Sequence, residues 1–302
     1  MENNITFQDL DLNNAFLFAA TAKNPEVCQI ILEIALGHSI PKVKVHAEHT
    51  VLYSSDFKSI RLDVYGEDEV DVRYDLESQN EKKNLPKRSR YYQAELDVSS
   101  LKPGEDYSNL KPLYIIFICT FDPFDRGFYR YTFEPICKED RELMLDDETC
   151  RVFLNTKGKN NEDVPEELVE FLHYMENSTD HYIETKTHSK AVRKIHDVVK
   201  QVKKSAKLEE QFMRGEELLK QREQIGREAG LAEGREVGLA EGRRESLVIV
   251  LQNKGVVSHR LSEKIESQSD LEVLNNWIAL ACKASDIEEF ERQISDDESE
   301  PV

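Results

Sequence analysis

Apolar residues first recur at helical spacing, as Phe16, Leu17 and Ala20 and then Val27, Ile30, Ile31 and Ile34. Asn24 and Pro25 stand where an N-cap and a first helical residue belong, and Gly37 stands where that second helix would stop. Downstream the period shortens to two. Residues 43–53 are rich in β-formers, and Ile60, Leu62 and Val64 alternate with Arg61, Asp63 and Tyr65. Val70, Val72, Tyr74 and Leu76 alternate in turn with Asp71, Arg73, Asp75, Glu77 and Gln79, with GEDE at 66–69 as the intervening turn. A basic helical stretch at 86–101 follows. After it, LYIIFICTF at 113–121 is the continuous apolar run of a strand covered on both faces, and shorter strands are expected at 127–133 and 151–154. Helix, three strands, helix and strand in this order make a mixed α/β core.

Near residue 176 the pattern changes to helix formers and charge. Ala191, Ile195, Val198, Val202, Ala206, Phe212 and Leu219 mark an amphipathic helix over 189–224. It runs into GREAGLAE, GREVGLAE and GRRE at 226–245, which place Gly226, Gly230, Gly234, Gly238 and Gly242 four residues apart. Five helical glycines cost roughly 4–5 kcal/mol relative to alanine. Two readings account for them. Either the glycines line the contact with the same helix of a second copy, giving a homo-oligomer with right-handed wrapping, or the segment is an extendable linker. The last part reads as a small helical unit: a helix over 245–254, two capping boxes (Ser269 with Glu272, Ser285 with Glu288) and Trp277, the only tryptophan, as packing anchor. The expected organisation is a core at 1–176, a charged helical arm at 177–245, a helical unit at 246–290 and an acidic tail at 291–302.

Forty Lys and Arg against 59 Asp and Glu give a net charge of −19, which taken whole opposes nucleic-acid binding. The charge is unevenly spread. Residues 285–302 hold eight acids against Arg292, whereas 82–90 (KKNLPKRSR) hold five basic residues and no acid, and 181–207 carries a net +6. Any DNA binding is therefore expected to be weak and strongly salt-dependent. Five cysteines without a C-x-x-C pair support neither a disulfide framework nor a zinc knuckle. The first residues lack a secretory pattern, and no apolar run approaches the roughly 20 residues of a membrane span, so a cytoplasmic protein without membrane contact is expected. Nucleotide-loop motifs, HExxH and G-x-S-x-G are absent from the sequence.

The informative chemistry lies on the alternating strands. Glu77 and Gln79 share a strand face, and Asp63 joins them if its strand pairs in a suitable register. Opposed carboxylates suit a hard divalent cation such as Mg²⁺, although any half-exposed strand pair shows the same alternation. The segment RLDVYGEDEVDVRYDLESQNEKKNLPKRSRYYQAELD at 61–97 resembles the core of the PD-(D/E)XK nuclease-type transposase family, also called the recombination-promoting nuclease (Rpn) family. There an Asp on the second strand is followed by an E-x-Q or E-x-K triplet and a basic segment ending in Arg-Tyr-Tyr. The block at 110–158, with FDPF and LNTKG, is similar to the same family, and together the two blocks cover most of residues 1–175.

The resemblance implies a restriction-endonuclease-like core that cuts DNA with Mg²⁺, in recombination or mobile-element biology. Asp63, Glu77 and Gln79 would be catalytic, with Asp63 and Glu77 as metal ligands and Glu33 as an additional N-terminal acid. Lys82, Lys83, Lys87, Arg88, Arg90, Tyr91 and Tyr92 would meet DNA. Gln79 occupies the place where many such nucleases carry a Lys. It positions water by hydrogen bonding without lowering its pKa, so the missing charge would fall to Lys82 or Lys83. The competing expectation is a catalytically inactive protein of the same fold that uses the helical arm for oligomerisation or partner binding.

Overall fold

The computed structural model describes residues 6–47, 50–51, 60–61 and 64–297. Among these, in chain order, α1 (Ala15–Ala22) and α2 (Pro25–Leu36) precede β1 (Val43–Ala47), β2 (Thr50–Val51), β3 (Ile60–Arg61), β4 (Val64–Asp68) and β5 (Arg73–Gln79). Then come α3 (Leu85–Ser100), β6 (Leu113–Cys119), β7 (Arg130–Phe133) and β8 (Thr149–Asn155). The chain finishes with α4 (Glu166–Met175), α5 (Asp180–Lys186), α6 (Lys190–Lys203), α7 (Ala206–Gln252), α8 (His259–Ser267), α9 (Leu271–Lys283) and α10 (Ile287–Asp297). The chain divides into two compact units, residues 1–214 and 215–302.

In the first unit six strands form one sheet in the order β1-β4-β5-β6-β8-β7. β5, β6 and β8 run parallel, and the outer pairings are antiparallel. Parallel neighbours require a crossover, and α3 is the crossover between β5 and β6. On one face Tyr74, Leu76, Ile116, Ile118, Val152 and Leu154 pack with residues of α1, α2, α4 and α6, among them Phe18, Ile31, Phe171 and Ile195. On the other, Ile115, Phe117, Cys119 and Phe153 pack with Leu85 and Leu96 of α3. The result is a mixed α/β layered core of the restriction-endonuclease-like kind.

The helix signals of the first residues are realised as read. Asn14 and Asn24 cap α1 and α2, each accepting from two backbone N–H groups, and Gly37 ends α2 at φ 83°. Three features depart from the sequence reading. GEDE is not the turn: β4 continues through Gly66, where an added Cβ would come within 2.9 Å of Val43 Cγ1. The turn follows it, built by the Asp68 carboxylate accepting from Val70 N and Val72 N at 3.0 Å, with Asp71 at φ 65°. The amphipathic helix over 189–224 is two helices, α6 and α7, with Ser205 between them. The first core also extends past the compositional change near 176, because α6 buries Val192, Ile195 and Val199 in it while showing its basic residues to solvent.

In the second unit α7 to α10 enclose Leu247, Leu251, Leu261, Ile265, Leu274, Trp277, Phe290 and Ile294, with Trp277 2 % exposed as the anchor expected of it. The caps fall one residue later than read, at Asp270 and Asp286, whose carboxylates take the N–H groups of Glu272 and Glu289. The glycine series lies within α7, and an added Cβ at Gly226, Gly230, Gly234, Gly238 or Gly242 would meet nothing within 4 Å among the described residues outside the local helix backbone. Among the described residues no helix is long and apolar enough to cross a membrane.

Candidate active site

Side chains alternate along β5, so Asp75, Glu77 and Gln79 all point away from the main apolar core and under α3. Their register partners on β6 are Ile115, Phe117 and Cys119, all fully buried. Asp75 is 0 % and Glu77 2 % exposed, while Gln79 is half-buried at the strand's end. Burying carboxylates among aromatic rings is expensive unless they meet hydrogen bonds or opposite charge. For Glu77 α3 provides both.

Asn84 enters α3 in the left-handed conformation at φ 54°, and Pro86 lies in the first turn. This start carries Arg88 and Tyr92, four residues apart and hence on one helix face, over the end of β5. Arg88 Nη2 donates to Glu77 Oε2 at 2.7 Å, and Nη1 donates to Gln79 Oε1 at 2.8 Å. The Gln79 amide in turn donates to Glu77 Oε2 at 3.1 Å, which closes a three-sided network. Arg88 Nη2 also donates to the Tyr92 hydroxyl at 2.9 Å, and the guanidinium lies 5.2 Å from the Tyr92 ring centre and 5.6 Å from that of Phe117. Burial first, then the Glu77 charge, pushes the Tyr92 phenol up to about 12.

Around this centre the C-terminal ends of the parallel strands form a rim, the usual location of ligand sites in open α/β sheets. The FDPF turn after β6 is organised by Asp122. Partial burial would raise the Asp122 pKa, but donation from the Tyr131 hydroxyl and the N–H groups of Gly127, Phe124 and Asp125 outweighs it and holds the carboxyl below its ordinary range. In the LNTKG loop Thr156 N donates to Cys119 O at 3.0 Å. Gly158 admits the Tyr129 ring, which any side chain would displace, because an added Cβ would lie 2.3 Å from it.

Of the residues singled out in the sequence, Glu77, Gln79, Arg88 and Tyr92 are brought together. Lys83, Lys87 and Arg90 are exposed beside them, and Lys82 pairs with Asp125 at 2.6 Å. Tyr91 packs its ring at the edge of the α3 core. Among the described residues Arg88, and neither Lys82 nor Lys83, is the cation seen on the triplet. Glu33 is elsewhere, on α2 against the opposite sheet face, where its carboxylate accepts from Ile40 N at 3.2 Å and Gln29 Nε2 at 3.3 Å. Asp63 lies outside the described residues. It directly precedes β4, whose pairing with β5 is described as far as Val64 with Leu76, one step short of Glu77.

Sequence reasoning set Asp75 beside Glu77 and Gln79 on the informative strand but gave it no role, and gave Arg88 only to DNA. The available signals were the parity that Asp75 shares with Glu77, and the i, i+4 spacing of Arg88 and Tyr92 after Pro86. Among the described residues no three His, Cys, Asp or Glu side chains form a metal cage. Two buried carboxylates beside a primary amide are nonetheless hard oxygen donors. They fit Mg²⁺, which binds through one or two carboxylates and keeps its remaining positions for water and phosphate.

Comparison with curated proteins and with solved structures finds no match. Residues 11–225 match the family described as PD-(D/E)XK nuclease family transposase. That span holds the whole sheet, the buried triplet and α3, and the chain belongs to the PD-(D/E)XK nuclease transposase family.

Proposed function

We propose that the protein is a Mg²⁺-dependent DNA endonuclease of the recombination-promoting type, hydrolysing phosphodiester bonds at the end of β5. The observation that carries this reading is the buried Glu77 carboxylate, held against Gln79 and Arg88 on the face of β5 that α3 covers. Asp63 and Glu77 would hold the ion, with Asp75 behind them. Once bound, such an ion would supply charge neutralisation at the phosphate and an acidified water. The chain's own residues do the rest. Gln79 orients a water through its amide, and its contact with Glu77 keeps the amide from rotating. Lys83, just before α3, and Lys87 and Arg90, exposed in its first turns, hold the flanking phosphates and position the strand without reading its sequence.

A second reading has one observation in its favour. Glu77 is already ion-paired with Arg88, an arrangement that also suits a non-catalytic protein of this fold that interacts through its helical arm. Supercoiled plasmid with Mg²⁺, with and without EDTA, separates the two. EDTA-sensitive nicking by the wild type that is lost in Glu77→Gln supports the enzyme. Absence of nicking in the wild type, with Mg²⁺ or Mn²⁺ present, supports the interaction protein.

A further inference from the structure

We propose that Arg88 supplies the positive charge that the E-x-Q triplet lacks, and that it does so by moving between two partners. Without a divalent ion it is the internal counter-ion of Glu77. Once an ion occupies the carboxylates, it passes to a non-bridging oxygen of the phosphodiester. The proposal rests on the nuclease reading and names the residue that links ion binding to substrate binding.

The geometry carries this in three steps. First, position 79 holds a neutral amide where a Lys would bring charge, and among the described residues Arg88, from another element, is a cation at hydrogen-bond distance from both Glu77 and Gln79. Its planar fork meets the two acceptors from two separate nitrogens in fixed geometry, whereas a Lys ammonium presents its donors from a single atom. Second, a divalent ion on Glu77 and the guanidinium at 2.7 Å from that carboxylate repel each other whichever oxygen the ion takes. Arriving ion therefore weakens the Arg88–Glu77 pair, and the pair in turn weakens ion binding. Third, Arg88 has a route out. Its side chain is 34 % exposed while that of Glu77 is 2 % exposed, so the guanidinium sits between the buried acid and solvent, on the side from which a phosphate approaches. The Tyr92 hydroxyl and the faces of Tyr92 and Phe117 keep it at that level while its partner changes. The two non-bridging oxygens of a phosphodiester accept the fork bidentately, as the two oxygens of a carboxylate do.

The test uses Mn²⁺ binding to the full chain, followed by calorimetry and by the spin-resonance signal of free Mn²⁺, beside plasmid nicking. Arg88→Met keeps the stem and removes the charge. It should bind Mn²⁺ about tenfold more tightly than the wild type, because the competing cation is gone. Its nicking at saturating Mn²⁺ should fall about 10²-fold, the scale of losing one charge-stabilising donor. Arg88→Lys keeps the charge without the fork, and should bind Mn²⁺ as the wild type does while recovering part of the lost rate. Arg88→Met that binds Mn²⁺ equally or more weakly while remaining folded by circular dichroism overturns the proposal, as does Arg88→Met that nicks at the wild-type rate. Should Arg88→Met fail to fold, Arg88→Lys decides: full wild-type rate overturns the proposal, and a reduced rate with unchanged Mn²⁺ affinity sustains it. A wild type that neither binds Mn²⁺ nor nicks overturns the nuclease reading itself, a result distinct from any difference between variants.

Discussion

The two faces of β5 are buried to the same degree and put to opposite uses. Leu76 is 1 % exposed and packs in the main apolar core, and Glu77, its neighbour, is 2 % exposed under α3. One face stabilises by removing hydrocarbon from water. The other holds a carboxylate that contributes nothing by burial and persists because Arg88 and Gln79 meet it. Burial alone thus says little about why a residue is present, whereas the chemistry of what meets it there says a great deal.

The largest expected effect that sharpens this contrast is on activity. Glu77→Gln, or Asp63→Ala, should lower Mg²⁺-dependent plasmid nicking by about 10²–10³-fold or more. For Glu77→Gln the thermal midpoint should stay near that of the wild type, because the partner left behind, Arg88, reaches solvent. Leu76→Ala should do the reverse, destabilising by about 2–5 kcal/mol in denaturant titrations while the remaining folded protein nicks at the wild-type rate. If both substitutions change activity and stability together, the two faces are not separable and the contrast is lost.

A smaller effect depends on pH. The Tyr92 pKa is raised from its ordinary 10 to about 12 in the folded chain, so the unfolded chain gives up this proton first as pH rises. Its contribution is fully present below pH 10 and is lost between pH 10 and about 12. Tyr92→Phe should remove that part of the alkaline loss of thermal stability. A melting profile over this window with unchanged slope would show that the α3 face does not hold the phenol as described.

The smallest effect lies in the second unit. Among the described residues nothing outside the local helix backbone comes within 4 Å of a Cβ at Gly230, Gly234 or Gly238, so each Gly→Ala should stabilise the helix by up to about 1 kcal/mol, read as helical signal on heating. If the glycines instead face a second copy, the same substitutions should reduce the solution mass measured by light scattering.

Much of this was legible in the sequence because it is local. The alternation from Val70 to Gln79 placed β5, Asn24 with Pro25 and Gly37 bounded α2, and the unbroken run at 113–121 marked the parallel strand β6. What was not legible depends on contacts between distant segments. Gly66 and its acidic neighbours look like a turn until Val43 on β1 is known to lie against Gly66. The basic segment at 190–203 looks like a solvent arm until Val192, Ile195 and Val199 are seen to enter a core built from the first helices. Arg88 reads as one of five equivalent basic residues, and only the packing of α3 across the sheet singles it out.

The crossover by α3 has a last consequence. Glu77, Gln79, Arg88 and Tyr92 fall within 16 consecutive positions, so the strand and the helix that answer each other are neighbours in sequence. Few residues have to be closed into a loop for Arg88 to reach Glu77, and the entropy lost in bringing them together is correspondingly small. This half of the centre is a short-range unit, with the rest of the sheet providing a frame around it. Insertions beyond Ser100, in the exposed turn around Gly104, would lengthen the chain without separating the charges that matter.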